Sequence, residues 1–295
     1  MEIKKVGVVG CGIMGGGIVE TCAKAGYSVV ASEINQQLLD KGMAAINKSL
    51  AKAVEKGKST EADKAATLGR IKGTTNTGDF KDCDLVIEAA VENLELKKKI
   101  FADLDKICPS HAMLASNTSC LSVTDLAAVT KRPDKVLGMH FFNPVPIMRL
   151  LELVKTILVS NETIKAAESF GKAIGKTTII APDIPGFAVN RVHTPYMLEC
   201  IKLLEDSLVT KEDLDTGMKL GYGFPMGPFE LADMVGLDTI LFICNAMFDE
   251  LKDPRFAPPL LLKKMVTAGH FGVKQAKDFT TTPNRPEIFD AYQAK

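Results

Sequence analysis

Val6-Gly7-Val8-Val9-Gly10-Cys11-Gly12-Ile13-Met14-Gly15 is an apolar run that passes directly into the pattern GxGxxG. A short run of this kind, bounded by glycine, reads as a strand buried on both faces. The glycine spacing carries a mechanism. Gly10 permits the tight turn out of the strand. Gly12 lets a pyrophosphate approach the backbone, and Gly15 lets the following helix pack close to the strand. Ile13 and Met14 open that helix, whose N-terminal N–H groups and partial positive charge suit phosphate. Gly10, Gly12, Ile13, Met14 and Gly15 are therefore candidate cofactor-binding positions. A glycine turn that binds nothing can carry the same letters. Here, however, a second β-rich run from Ser28 to Ala31 follows and leads to Glu33. An acidic side chain there accepts hydrogen bonds from both adenosine ribose hydroxyls and repels a 2′-phosphate, so NAD is favoured over NADP. The same architecture takes FAD, and the motif does not separate hydride transfer from binding alone.

Working outward, Asp84 to Glu88 and Ala112 to Ala115 are further strand candidates. Helix-like stretches lie between the strands, at Ile13 to Ala25, Gln36 to Lys56 and Leu94 to Ile107. This alternation predicts a Rossmann-type doubly wound α/β sheet, largely parallel and covered on both faces. Near Asp183-Ile184-Pro185-Gly186 the strand patterns stop. Helical patterns follow from Phe187 to Asp206, Lys211 to Leu220, Pro228 to Val235, Leu237 to Glu250 and Pro259 to Ala268, punctuated by Pro and Gly clusters. The expected organisation is an NAD-binding domain over residues 1–184 and an all-helical domain over residues 185–295.

Composition narrows the class. The 295 residues carry a formal net charge of +0, so no global field draws nucleic acid or an anionic membrane. No stretch approaches the roughly 20 apolar residues that span a bilayer. The opening MEIKKVGVVG breaks its apolar run with glycine at once, which argues against a secretory signal. The seven cysteines are scattered, without a CxxC pair or metal-ligand spacing. Reduced thiols in a cytoplasmic protein, with no metal, are the expectation.

Three stretches place polar groups where the sheet's carboxyl edge is expected, and ligands of doubly wound sheets bind there. The first is Ser116-Asn117-Thr118-Ser119-Cys120, directly after the fourth strand; it reads either as ligand contacts or as a loop bonding its own backbone. The second is Leu137-Gly138-Met139-His140-Phe141-Phe142-Asn143-Pro144-Val145-Pro146. A lone histidine in an apolar strand is commonly a core residue, yet the chain has four histidines in all, and proton transfer near neutral pH draws on that residue type. The third is Leu150-Leu151-Glu152-Leu153-Val154, a carboxylate among aliphatics that needs a partner if buried. If the chain doubles back near Pro146, His140 and Glu152 face each other on adjacent strands, the arrangement of a carboxylate-oriented general base. Asn190, early in the long helix after Pro185-Gly186, is either a surface or capping residue or a group at an interdomain cleft.

GCGIMG, SNTS, GMHFFNPVP, LLELV and PGFAVNR stand in the order and spacing of a known family. The chain resembles the (S)-3-hydroxyacyl-CoA dehydrogenases over nearly its whole length, with GMHFFNPVP and the downstream GFxVNR far more specific than GxGxxG. Within that family it is most similar to bacterial short-chain members acting on 3-hydroxybutyryl-CoA in butyrate-forming pathways. The resemblance implies His140 as the general base for the 3-hydroxyl proton and Glu152 as the carboxylate that orients it. It implies Ser119 and Asn190 as donors to the substrate oxygen or its neighbours, and Asn143 as a nicotinamide-side contact. Glu92 and Lys97 match contacts to the cofactor's ribose region, and Ser49 and Lys56 match residues that hold CoA. It further implies an NAD(H) cofactor, an acyl-CoA substrate and a homodimer, or an assembly of dimers, formed through the helical domain, whose motif Gly221-Tyr222-Gly223-Phe224-Pro225-Met226-Gly227-Pro228 is present. Two departures stand out. Cys120 replaces a serine common after SNTS, and Gly272 to Thr280 has drifted from a basic, glycine-rich stretch.

Two other readings compete. Dehydrogenases of free hydroxy acids or sugar acids share the opening motif, but many use a lysine base; GMHFFNPVP argues against them. A non-catalytic crystallin-like relative would share the fold, and the set Ser119, His140, Glu152 and Asn190 argues against it.

Overall fold

The computed structural model describes residues 2–272. The chain divides into two compact units between Ile184 and Pro185.

The first unit is built on an eight-stranded sheet. In chain order its strands are β1 (Lys5–Val9), β2 (Ser28–Ser32), β3 (Ile71–Thr74), β4 (Leu85–Glu88), β5 (Met113–Ser116), β6 (Val136–Phe141), β7 (Leu150–Lys155) and β8 (Thr177–Pro182). Across the sheet they run β3-β2-β1-β4-β5-β6-β7-β8. Every neighbouring pair is parallel except β6 and β7. Its helices are α1 (Ile13–Lys24), α2 (Gln36–Glu55), α3 (Glu61–Leu68), α4 (Leu94–Ile107), α5 (Val123–Ala128) and α6 (Asn161–Ala173). The expected Rossmann-type doubly wound sheet is therefore present, with an antiparallel switch at β7. That switch matters for the site, because β7 and β8 begin at the edge where β1, β4, β5 and β6 end.

The central strands owe their place to continuous apolar sequence. Val6, Val8, Leu85, Val86, Ile87, Met113, Leu114 and Ala115 are fully buried, as expected of strands covered by helices on both faces. Two strands lie outside the sequence expectation, β3 and β8, and they are the two edges of the sheet. Their sequences, IKGT and TTIIAP, carry the polar, Gly and Pro residues that edge strands tolerate and central strands do not.

In this unit helix starts follow one rule with an informative exception. Asn35, Thr60, Asn93 and Ser160 each accept a backbone N–H from the first turn of α2, α3, α4 and α6. These caps satisfy donors that the helix itself leaves open. Helix α1 begins at Gly12 with no side chain to cap it, so its first-turn donors stay available to a ligand.

The second unit, described by itself, is helical as expected. It comprises α7 (Val189–Glu205), α8 (Lys211–Tyr222), α9 (Pro228–Val235), α10 (Leu237–Leu251) and α11 (Leu260–Thr267). Leu198, Ile201, Phe229, Leu237, Cys244 and Leu262 form its core. The Gly-Pro motif works as punctuation: Gly223 ends α8 with a φ of 70°, and Pro228 starts α9. The buried carboxylate of Asp215, on α8, accepts N–H bonds from Phe229 and Glu230 at 2.8 and 3.2 Å, which joins the two helices through a cap. Among the described residues no single helix is long and apolar enough to cross a membrane, and no group of three or more His, Cys, Asp or Glu could hold a metal. All seven cysteines are free and buried. Of the drifted stretch Gly272 to Thr280, everything after Gly272 lies outside the described residues.

Candidate active site

The glycine turn is closed to side chains on one side and open on the other. A Cβ on Gly15 would stand 1.9 Å from the Gly10 carbonyl oxygen, so no larger residue fits where α1 leaves the strand. A Cβ on Gly12 would meet nothing within 4 Å; this glycine faces open space at the uncapped helix start. Glu33 follows β2, with Oε1 accepting the Cys11 N–H at 2.7 Å and Oε2 the Ile34 N–H at 3.2 Å. A cavity of about 420 Å³ lies against these groups. The turn residues Cys11, Gly12, Ile13, Gly16 and Gly17 line it, as do Glu33 and the loop Asn143–Pro146. One face of α2 completes the wall, including Lys41, Ile46 and Ser49. A glycine cradle, open helix donors and a carboxylate where an adenosine ribose lies fit a dinucleotide without a 2′-phosphate.

The cavity thus unites Gly12, Ile13, Glu33, Ser49 and Asn143. Gly10 and Gly15 stand behind the turn and shape it, and Met14 is half-buried in the first turn of α1. Lys56 is exposed at the end of α2, about 10 Å beyond Ser49 on the same side, and it does not line the cavity. Lys41, which does, carried no signal in the sequence beyond its place on a long amphipathic helix.

The reversal of β7 brings the histidine to its carboxylate. His140 pairs with Glu152 in the antiparallel register, and Nδ1 lies 2.7 Å from Oε2. The histidine is 6 % exposed and the glutamate 0 %. Phe142 packs on the imidazole with ring centroids 4.5 Å apart. The chain does double back around Pro146, through a wide loop in which the Asn143–Pro144 peptide is cis. A carboxylate fixed on Nδ1 sets the ring's orientation and its tautomer.

The loop after β5 is more tightly bound than either reading of its sequence. Asn117 Oδ1 accepts the Phe141 N–H at 2.9 Å and so clamps the end of the histidine strand. Thr118 donates its hydroxyl to Glu92, which also accepts the Ser119 N–H at 2.9 Å. Glu92 in turn lies 3.3 Å from the Lys97 ammonium. Lys97 is 1 % exposed and donates to Glu88 at 2.6 Å. Glu88, fully buried at the end of β4, also accepts the Ala90 N–H and the Ser116 hydroxyl, each at 2.7 Å. Glu92, Lys97 and Ser119 are among the residues the sequence singled out; Glu88, the carboxylate that holds Lys97 and Ser116, is not. The signal was present: an ionisable residue closing the apolar strand Leu85-Val86-Ile87. Cys120 is inert here, because burial, with Glu92 nearby, pushes its thiol up to about 12. Asn190 occupies the second position of α7 in the other unit.

Comparison with known proteins decides the family. Residues 5–184 match the model of the 3-hydroxyacyl-CoA dehydrogenase NAD-binding domain, and residues 186–282 match that of the C-terminal domain of the same enzymes. The chain belongs to the 3-hydroxyacyl-CoA dehydrogenase family. A 3-hydroxybutyryl-CoA dehydrogenase of Clostridioides difficile is 44 % identical over 92 % of this chain and 96 % of that protein. The human mitochondrial hydroxyacyl-coenzyme A dehydrogenase is 42 % identical over 94 % of this chain and 90 % of its own. The crystal structure of an (S)-3-hydroxybutyryl-CoA dehydrogenase from Ralstonia eutropha superposes with a TM-score of 0.90 at 45 % identity, covering 94 % of this chain and 98 % of that one. Membership in the 3-hydroxyacyl-CoA dehydrogenase family makes the protein an NAD-dependent oxidoreductase with NAD(H) as its cofactor.

Proposed function

We propose that the protein interconverts (S)-3-hydroxybutyryl-CoA and acetoacetyl-CoA with NAD(H). The observation that carries this reading is the His140–Glu152 pair, set 2.7 Å apart on the strands adjoining the loop that lines the dinucleotide cavity. The bound nicotinamide supplies the hydride acceptor or donor. His140 takes the 3-hydroxyl proton as the carbinol is oxidised and returns it to the oxygen in the reverse direction, while Glu152 holds the opposite ring nitrogen. Ser119 and Asn190 hydrogen-bond the substrate oxygen or its neighbours, where fixed donors are worth most as negative charge develops. Asn143 contacts the nicotinamide side, and Glu92 and Lys97 the ribose region; because the Lys97 ammonium points inward, its contribution is chiefly to hold Glu92. Ser49 and Lys56 hold CoA. The relatives' names support the substrate.

Oxidation of 3-hydroxybutyryl-CoA by NAD tests the proposal, followed by the absorbance of NADH. Turnover is expected with the (S)-ester and not with the (R)-ester. Equal rates with both would mean that the site does not fix C3 relative to His140.

The helical unit, in this reading, forms a homodimer. Val192, Leu220 and Tyr222 are large apolar residues 76–83 % exposed on it, apolar surface available to a second copy. Sedimentation of the 31.8 kDa chain is expected to give a dimer or a multiple of it, and a monomer at micromolar concentration would contradict this. Seven free thiols suit a reducing, cytoplasmic setting.

A further inference from the structure

We propose that Lys176 is a positioning residue for the nicotinamide side of the site: its buried ammonium ties down the loop that presents Asn143. Lys176 lies between the end of α6 and β8 and is 8 % exposed. Its Nζ donates to the Val145 carbonyl at 2.5 Å and to the Met148 carbonyl at 2.7 Å. Those carbonyls bracket a turn in which Ile147 and Met148 both donate to the Pro144 carbonyl, at 2.9 and 3.0 Å. One ammonium therefore grips both arms of the turn.

The arrangement is costly. Burial pulls the Lys176 pKa below the ordinary lysine value. The hydrogen-bond acceptors are neutral carbonyls, which compensate a buried charge less well than a carboxylate does. A methionine of similar length would fill the space without that cost, so what the ammonium contributes is loop geometry. On its other side the same loop is pressed against α1. A Cβ on Gly17 would come within 2.9 Å of Val145 Cβ and 3.3 Å of Pro146 Cδ. Between these two supports, Asn143 to Pro146 form the cavity wall facing Gly12 and Ile13. Asn143 is three residues past His140, so the grip of Lys176 sets where the nicotinamide end of the cofactor meets the proton-transfer strand. This inference rests on the proposed function for the role of Asn143, but its test does not require turnover.

The test uses the intact protein and two ligands, NADH and ADP-ribose, the second lacking the nicotinamide. Lys176→Met is expected to raise the NADH Kd about tenfold or more while leaving the ADP-ribose Kd within twofold, with an undiminished folded fraction. Unchanged affinities for both would reduce Lys176 to packing and overturn the proposal. Equal weakening of both would make it a general structural residue and overturn it as well. Lys176→Gln, which keeps a shorter donor, is expected to fall between wild type and Lys176→Met in the same ratio, and serves alone if the methionine variant does not fold. A wild type that binds NADH but does not turn over the CoA ester would refute the proposed function and leave this ratio readable.

Discussion

Replacing His140 with glutamine is expected to lower kcat by roughly a hundredfold or more while the NADH Kd stays within about twofold. Glutamine can still hydrogen-bond Glu152 and fill much of the space beside Phe142, so the strand pairing His140↔Glu152 should survive. What it cannot do is carry a proton between the ring nitrogen and the substrate oxygen. Position 140 does not line the cavity beside the glycine turn, which is why cofactor affinity and turnover separate. Steady-state kinetics together with a fluorescence titration of NADH measure both quantities. If affinity and turnover fell together, His140 would be a support of the fold and not the acid–base group.

Replacing Lys97 with methionine is expected to destabilise the fold by about 3–5 kcal/mol. The ammonium sits 2.6 Å from Glu88 and 3.3 Å from Glu92, and Glu88 has no exposure. Removing the cation leaves a carboxylate buried without its counter-charge, which costs far more than the pair itself contributes. Glu92 would also lose a support, and with it the Thr118 and Ser119 bonds that fix the loop after β5. Equilibrium urea unfolding reads the loss, and a change below about 1 kcal/mol would show that Glu88 finds another partner or a proton at little cost. The converse variant, with Glu88 and Lys97 both replaced by apolar residues, should recover part of the stability, because removing both charges together avoids the unpaired state.

The legible parts of this protein were those in which local chemistry and global position agree. Strand β1, the glycine turn and Glu33 announce themselves because a tight turn, a phosphate and a ribose each demand one residue type at one spacing. The inner strands declare themselves through unbroken aliphatic runs, and the antiparallel meeting of His140 and Glu152 could be inferred from a carboxylate that had to find a partner. The sheet edges were hidden for the opposite reason. Ile71-Lys72-Gly73-Thr74 is held in place by pairing with β2 rather than by its own pattern. Lys176 was invisible because its partners are backbone carbonyls 28 and 31 residues away, and carbonyls carry no residue identity. Glu88 lay between these cases: its type and position were readable, but its importance came from three contacts, at 2, 9 and 28 residues along the chain.

The most direct test of the account is NADH oxidation driven by acetoacetyl-CoA, run beside NADPH and beside free acetoacetate. Fast turnover is expected with NADH and the CoA ester, little with NADPH because the Glu33 carboxylate would repel a 2′-phosphate, and little with the free acid. Absence of turnover with the CoA ester under either cofactor would contradict it, and equal turnover with free acetoacetate would make the protein a dehydrogenase of the free hydroxy acid instead.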